Sequence, residues 1–500
     1  MLKGTKSIIA VIMAVCMLIS ISGCGNNAST NKGGETVVLK YVMAGPGMQE
    51  DSKLVWDEFN NKLKSYLPDV KIEFEVFSLS DYKQQFMLMQ TSREKMDIVN
   101  TYGLTFSDEV KKGTFIELDS LLNQYGTDLN KELPEWLWNF SKVDGKIYSI
   151  PTYQMMCVMY GLKMFKDQSE NYADVAALTN VIQENSTFGK EYYDLMEDYL
   201  KKLKDNGEIA LGYQTGMFIT KGFESILDYF VIRTDDENCK VEHFFKTEEA
   251  EMYFDRMADW YKKGYIRTDS LSANDGDKVT GKKTGFSVWT AQMGFKQAEQ
   301  DLDNYGEDII NIPFDNNYYI PMNNAAGGTA IMANSANSEA AMKFLNLLQS
   351  EKGKELYNML VFGMEGTHYT KTADDKILTQ YNGQPKSSDR YGLYKWIVGN
   401  TEIAYDTQSD LEGYKEWIFQ DINTSDNRSK LIGFVVDTSN ISSKLAQVSA
   451  VKDEFRASLA SGSLPNHREV YAQFVDKLEK AGALDIIDEL QKQVDEFLRK

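Results

Sequence analysis

Side chains able to do covalent or metal chemistry are few in this sequence and poorly spaced for it. Only three histidines occur in 500 residues: His243, His368 and His467. None stands in an HExxH string or four residues from another, so the two-histidine helix face that grips zinc is missing. His368 on its own is a candidate general base. Gly276–Lys283 (GDKVTGKK) nearly spells a phosphate loop. Such a loop needs Ser or Thr after its lysine to hold magnesium. Here Lys283 follows Lys282 and no strand leads in, so the segment reads as an ordinary loop. No GxSxG elbow is present to raise a nucleophilic serine. Met155, Met156 and Met159, with Gly216-Met217, suit apolar filling better than copper ligation. No cofactor and no metal site emerges. Paired carboxylates stay open: among 74 Asp and Glu residues, two can meet at glycosidase distances without any signature in the spacing.

Composition bounds the rest. With 42% hydrophobic and 12% aromatic residues the chain can bury packed cores, and its length suits two or more domains. Disorder over most of the chain is excluded. The formal charge of −20 gives no global basic footprint for nucleic acid. Four cysteines exclude a disulfide scaffold and any multi-cysteine zinc module.

One cysteine has a context of its own. Lys3 and Lys6 precede Ser7–Ile21 (SIIAVIMAVCMLISI), an apolar run shorter than the ~20 residues that span a bilayer. A basic start and a short apolar run make a secretory signal. Ile21-Ser22-Gly23-Cys24 follows and resembles a bacterial lipobox, in which the cysteine takes a lipid and becomes the new N-terminus. Residues 1–23 are therefore expected to leave as a signal peptide. Cys24 is the expected lipidation site, and residues 24–35 (GNNASTNKGGE from Gly25) are a flexible tether. Localisation follows: the cell membrane, lipid-anchored on the extracellular face. Cys157 and Cys239 remain, as one disulfide or as two buried thiols.

The elements that would position a site begin at Thr36. Thr36–Ala44 (TVVLKYVMA) reads as a strand ending at Gly45-Pro46-Gly47. Val55, Trp56, Phe59 and Leu63 make a helical stripe, which marks Trp56 as core. Val70, Ile72, Phe74 and Val76 alternate with charged residues, as in a half-buried strand. Ser80 is placed to cap a helix carrying Tyr82, Phe86 and Met89. Asp97-Ile98-Val99 is a further short strand. This alternation predicts an α/β domain with a largely parallel sheet. Ligands of such sheets sit outside the carboxyl ends of strands, here Met43–Gly47 and Asn100–Gly103. Residues 155–285 read as mostly helical. Helices are expected over Ser335–Ser350 and at the C-terminus, the latter with Ile487, Leu490, Val494 and Phe497 on one stripe.

Four strings, in order, carry a family resemblance: the lipobox with VVLKYVMAGPG; Gly113–Asp119 with Asp144–Pro151 (DGKIYSIP); Thr284–Trp289 (TGFSVW); and Gly327–Ile331 followed by the Ser335–Ser350 helix. Together the chain resembles the extracellular solute-binding lipoproteins of ABC importers, in the sugar-binding class that includes maltose-binding protein. Gly363–Tyr369, Trp396 with Gly399-Asn400, and Gly433–Lys500 resemble a subgroup whose C-terminal domain has no assigned function. The resemblance implies a two-lobed α/β fold of the periplasmic-binding-protein type, with three crossings and a cleft between lobes. Carried over, the first lobe is 36–151 plus 289–327. The second is 152–288, 328–432 and a C-terminal helical part, 433–500.

The resemblance also implies a function without covalent chemistry. A saccharide, expected to be an oligosaccharide, is captured by hinge closure and passed to a membrane-embedded ABC permease; the receptor acts as a monomer. Sugar sites combine flat aromatic faces with polar groups for hydroxyls. Positions of strand ends and crossings select Tyr102, Tyr153, Gln154, Trp289, Thr290, Gln292, Asn323 and Asn324. The subgroup strings add Glu365, His368, Tyr369 and Trp396. Two alternatives stay open: a receptor for a peptide or other polar solute, which needs charged anchors, and a secreted glycoside hydrolase, which needs two convergent carboxylates.

Overall fold

The computed structural model describes residues 36–208, 210–211, 221–271, 288–299, 306–314, 318–322, 327–374, 376–381, 384–385 and 390–499. The expected signal peptide, Cys24 and the tether lie outside the described residues, as do Asn323, Asn324 and the Gly276–Lys283 loop.

The chain opens with β1 (Val37–Gly45), α1 (Ser52–Leu63), β2 (Val70–Ser78), α2 (Tyr82–Ser92) and β3 (Ile98–Asn100). β1 runs parallel to β2 from Val37↔Val70 to Gly45↔Ser78, and parallel to β3 at Tyr41↔Ile98. Lying between two neighbours and covered on both faces, β1 is buried at every residue from Tyr41 to Gly45. β2 is the edge strand, and it alternates: Val70, Ile72, Phe74 and Val76 are buried, while Lys71 and Glu73 are exposed. Gly45 is needed where β1 leaves the sheet, because a Cβ there would lie 2.7 Å from Val76 Cγ1. On α1 the predicted stripe is buried, Trp56 included. Asn60 of that helix ties it to β2: its Nδ2 donates to the carbonyls of Trp56 and Ile72 at 2.9 Å, and its Oδ1 accepts from Ile72 N at 2.8 Å. Helix α2 buries Tyr82, Phe86 and Met89 as expected, but Asp81 precedes it rather than Ser80, and no side chain caps it.

After β4 (Ile150–Pro151) the chain crosses over residues 152–156 into β5 (Cys157–Phe165), the spine of a second sheet. Then come α3 (Lys190–Asp205), an antiparallel sheet of β6 (Phe223–Leu227), β7 (Phe230–Arg233) and β8 (Glu242–His243), and α4 (Glu248–Lys262). The expected helical middle is thus mixed: its aromatic and Met residues are shared between helices and strands. β9 (Val288–Met293), β10 (Ile309–Pro313) and β11 (Ile320–Pro321) each pair antiparallel with β5. By Gly327 the chain has crossed back a second time, and β12 (Gly328–Ile331) inserts antiparallel between β3 and β4. The first sheet is therefore ordered β2-β1-β3-β12-β4. Helices α5 (Ser338–Leu348) and α6 (Lys354–Phe362) pack in its core. A third crossing, 423–429, delivers α7 (Ser442–Ala460), α8 (His467–Lys480) and α9 (Ala483–Leu498) to the second core. On α9 the buried stripe is Ala483, Ile486, Leu490 and Val494; Ile487 and Phe497 sit half-buried at its edge.

Two hydrophobic cores result. One gathers Tyr41, Phe59, Leu345, Val398 and Phe419; the other gathers Leu162, Tyr199, Phe254, Leu431, Phe474 and Leu490. This corrects the expected partition. Residues 289–327 were assigned to the first lobe and 328–432 to the second, yet β9–β11 pair with β5 and β12 pairs with β3. Of the Thr284–Trp289 string, residues 284–287 lie outside the described residues, and Val288 and Trp289 belong to β9, inside the second lobe. Only the part of the chain beyond the third crossing returns to the second lobe. Cys157 and Cys239 are both buried free thiols, and burial pushes Cys157 up to about 12.

Candidate ligand cleft between the lobes

The crossings are laced to one another. Met322 N donates to Met156 O at 2.9 Å, and Thr152 N to Gly327 O at 3.0 Å. Tyr319 N donates to Asn427 O, and Ser429 N to Tyr319 O, both at 3.0 Å. At the centre is Asn423, fully buried. Its Nδ2 donates to Gln154 O at 2.6 Å and its Oδ1 accepts from Met156 N at 2.9 Å. A π-helical turn, Trp417–Ile422, leads into it. Such turns are rare and concentrate at functional sites. Arg428 lies over the Trp136 ring at 5.0 Å and donates to the carbonyls of Ser425 and Asn423.

One wall of the cleft beside this hinge is aromatic. It is carried by Lys395–Val398, a single short turn held by side chains from three elements. Asn100, ending β3, donates to Ile397 O at 3.1 Å while accepting from Ala44 N at the end of β1. Tyr357 on α6 donates its hydroxyl to Lys395 O at 2.7 Å. Thr152 of the first crossing donates to Trp396 O at 3.1 Å. Trp396 so placed lies 5.4 Å from the Tyr102 ring and stacks on Tyr394 at 5.8 Å. The carboxyl ends of β1 and β3 therefore support the wall that the parallel-sheet rule predicts.

Gln154, Met155 and Met322, from the first two crossings, line the cleft with Trp396. Residues 401–419, which belong to the same lobe as Trp396, complete the lining. Thr401 donates N–H and hydroxyl to Tyr153 O at 2.8 and 3.0 Å. Asp406 pairs with Lys415 at 3.0 Å. Asp410 accepts from Thr407 N and Oγ1 at 2.8 and 3.0 Å. Tyr414 and Phe419 add apolar surface. This open cavity has a volume of about 450 Å³, within the range of small-molecule sites. Phe295, just past β9 in the second lobe, reaches across to Trp417 at 5.7 Å and Tyr414 at 6.3 Å. Gly413 accommodates it: the residue sits at φ +84°, and a Cβ there would meet the Phe295 ring at 3.2 Å.

Of the sequence candidates, Tyr102, Gln154 and Trp396 come together at the cleft. Tyr153 does not present its ring there. It is buried against Phe419 at 4.8 Å and Trp136 at 6.4 Å, and burial pushes its hydroxyl up to about 12. His368 is fully buried elsewhere. Its Nδ1 accepts from Met364 N at 3.1 Å and its Nε2 faces Asp51 at 3.3 Å, a carboxylate that Arg390 also holds at 2.9 and 3.0 Å. Burial lowers the His368 pKa, with Asp51 opposing. Tyr369 is buried beside Tyr405, and Glu365 is exposed and paired with Lys371 at 3.3 Å. The three subgroup residues thus build the first lobe's flank, because the Gly363–Tyr369 turn leaves α6 away from the hinge. Trp289, Thr290 and Gln292 lie on β9, but their side chains are outside the described residues. Sequence reasoning missed Lys395, Thr401, Asp406, Tyr414, Lys415, Phe419 and Phe295. Gly413–Phe419 (GYKEWIF) had a usable signal in its clustered aromatics.

Residues 50–355, more than half of the chain, match the bacterial extracellular solute-binding protein family. The chain belongs to that family. It is a family of transport receptors, not of enzymes, and the two-lobed fold with laced crossings agrees with it. Residues 430–499, which contain α7–α9, match a domain of unknown function. A carbohydrate ABC transporter substrate-binding protein of Streptococcus pneumoniae serotype 4 is 22% identical over 521 residues, covering 99% of this chain and 98% of that protein. The crystal structure of the N-glycan transport solute binding protein NgtS from Streptococcus pneumoniae superposes with a TM-score of 0.71 at 21% identity, covering 93% of this chain and 99% of NgtS. An extracellular solute-binding protein from Bifidobacterium longum subsp. infantis superposes at 0.63 with 16% identity, covering 94% of this chain and all of that one.

Proposed function

We propose that this chain is the lipid-anchored, extracellular receptor of an ABC importer, binding an oligosaccharide by closure of its two lobes and passing it to the permease. The observation that carries the reading is the Trp396–Tyr102 wall set directly beside three crossing strands. A sugar's C–H face stacks on such a wall, and Gln154 and Thr401 supply groups for its hydroxyls. Closure then adds contacts from the second lobe, so ligand favours the closed state. The carbohydrate transport named for its relatives supports the same choice. Anchoring at Cys24 rests on the lipobox resemblance. The cleft carboxylates are already engaged, Asp406 by Lys415 and Asp410 by Thr407, which argues against a hydrolase pair.

A thermal-shift screen of the purified chain against mono-, di- and oligosaccharides, with peptides as controls, tests the proposal. Ligand at 100 times its Kd adds about 2.7 kcal/mol, a rise of a few degrees for a chain this long. The expected result is a rise with one saccharide class, lost in Trp396→Ala, with the sugar recovered unchanged. A rise with peptides alone, or consumption of the sugar, overturns it.

A further inference from the structure

Residues 430–499, whose domain has no assigned function, join the third crossing by a stretch that touches both lobes. Neighbouring side chains there part company. Leu431 and Phe434 are buried in the second core, and Val436 packs against it. Ile432 and Val435 lie half-buried against the first core. Gly433 is pressed onto the first lobe at φ +82°, where a Cβ would lie 2.7 Å from Asn139 Cβ and 3.3 Å from Trp136 O. Helix α9 grips the same stretch from the second lobe. Its Phe497 ring lies 5.4 Å from that of Phe434. Its Gln493 donates Nε2 to Asp437 O and accepts from Asp437 N at Oε1, both at 2.9 Å. With its backbone so held, Asp437 pairs its carboxylate with Lys111, which ends the short helix Phe106–Lys111 beside buried Val110 of the first core. Lys111 also donates to Ser439 Oγ at 2.7 Å.

The two grips are unequal. Buried apolar side chains and two backbone hydrogen bonds fix the stretch to the second lobe. Half-buried packing and an ion pair with side chains 34% and 32% exposed meet the first. When the lobes turn about the crossings, the slip therefore falls on the first-lobe side, and the Lys111–Asp437 pair gives way. We propose that the C-terminal domain is a strap that sets the balance between lobe orientations: α9 holds residues 431–437, and Asp437 catches Lys111 of the first lobe. The inference rests on hinge closure and not on the class of solute. Since ligand binds one orientation better, a strap that biases the orientations also biases affinity. An ion pair as exposed as this one shifts such a balance about two- to fivefold.

Single-molecule energy transfer on the purified, ligand-free full chain provides the test. Dyes are attached through a ketone-bearing amino acid at the exposed positions Leu54 on α1 and Leu484 on α9, which spares the cysteines. Lys111→Glu and Asp437→Lys should each lower the ratio of the dominant distance to the others about two- to fivefold. Gln493→Leu should act in the same direction, and the double charge swap should restore the unaltered distribution. A merely stabilising pair would lower the urea midpoint of the single variants and leave the distances alone. Unmoved distances in the single variants, or a change that the swap does not restore, overturn the strap while hinge closure stands. One fixed distance in every variant and with every saccharide of the thermal-shift screen removes hinge closure as well.

Discussion

Glu224 on β6 is 1% exposed, where the second and third crossings meet the second lobe. Tyr318 donates its hydroxyl to Oε2 at 2.7 Å, and Oε1 is buried without a hydrogen-bond partner among the described residues. Burial raises its pKa to about 7 from 4.5, against hydrogen bonds that pull it down. The folded chain therefore holds a proton here that the unfolded chain has released. This contribution to stability is fully present below pH 4.5 and is lost as pH rises through 7, about 3 kcal/mol in all. Glu224→Gln should remove that decline, seen as urea midpoints that converge at pH 5 and separate at pH 8 in favour of the variant. Equal slopes in both proteins would contradict the assignment. Glu224 had no marker in the sequence, since nothing in FESIL distinguishes a buried carboxylate from a solvated one. The same limit explains His368 and Tyr153. Its place just past the first crossing made Tyr153 a candidate and the subgroup string made His368 one, but which side of a turn faces the cleft depends on packing partners hundreds of positions away, such as Phe419 for Tyr153 and Asp51 for His368. Tyr102 and Gln154 were picked from a strand end and a crossing that local pattern marks, whereas Trp396 came only from the subgroup resemblance; the structure sets Trp396 5.4 Å from Tyr102 and on one lining with Gln154.

Between elements, Asn60 is the clearest test of how α1 is fixed to the sheet. Replacement by Leu keeps the forked shape of the side chain but leaves Ile72 N and O without their Asn60 partners. Unsatisfied buried groups cost about 1–3 kcal/mol each, so Asn60→Leu should lose about 2–6 kcal/mol in urea unfolding. A loss below about 1 kcal/mol would mean that packing alone holds the pair. The opening β1–α1–β2–α2–β3 series was legible from periodicity, because each of its strands and helices carries its own local pattern and its pairings, β1 with β2 and with β3, stay within the series. Membership of the later strands was not. β10, β11 and β12 are short and alike in composition, yet two pair with β5 and one inserts beside β3, a choice set by non-local pairing. Val288 and Trp289, at the end of TGFSVW, are already in a strand paired with β5, so β9–β11 belong to the second lobe and not the first.

Taken whole, the chain is two cores joined by three hydrogen-bonded strands, with contacts that span the cleft. Phe295 against Tyr414 and Trp417 is one; the Lys111–Asp437 ion pair is another. An aromatic contact of this kind is worth about 0.5–1.5 kcal/mol. Phe295→Ala should therefore favour the open form and weaken ligand binding about two- to tenfold by calorimetry. An unchanged Kd would remove Phe295 from the closure equilibrium. The central claim is that ligand and lobe closure are one event. Small-angle scattering of the chain with and without its saccharide tests it most directly. The account predicts a smaller radius of gyration on saturation with the sugar and none of that contraction with a peptide. Tight saccharide binding with an unchanged radius of gyration would contradict it.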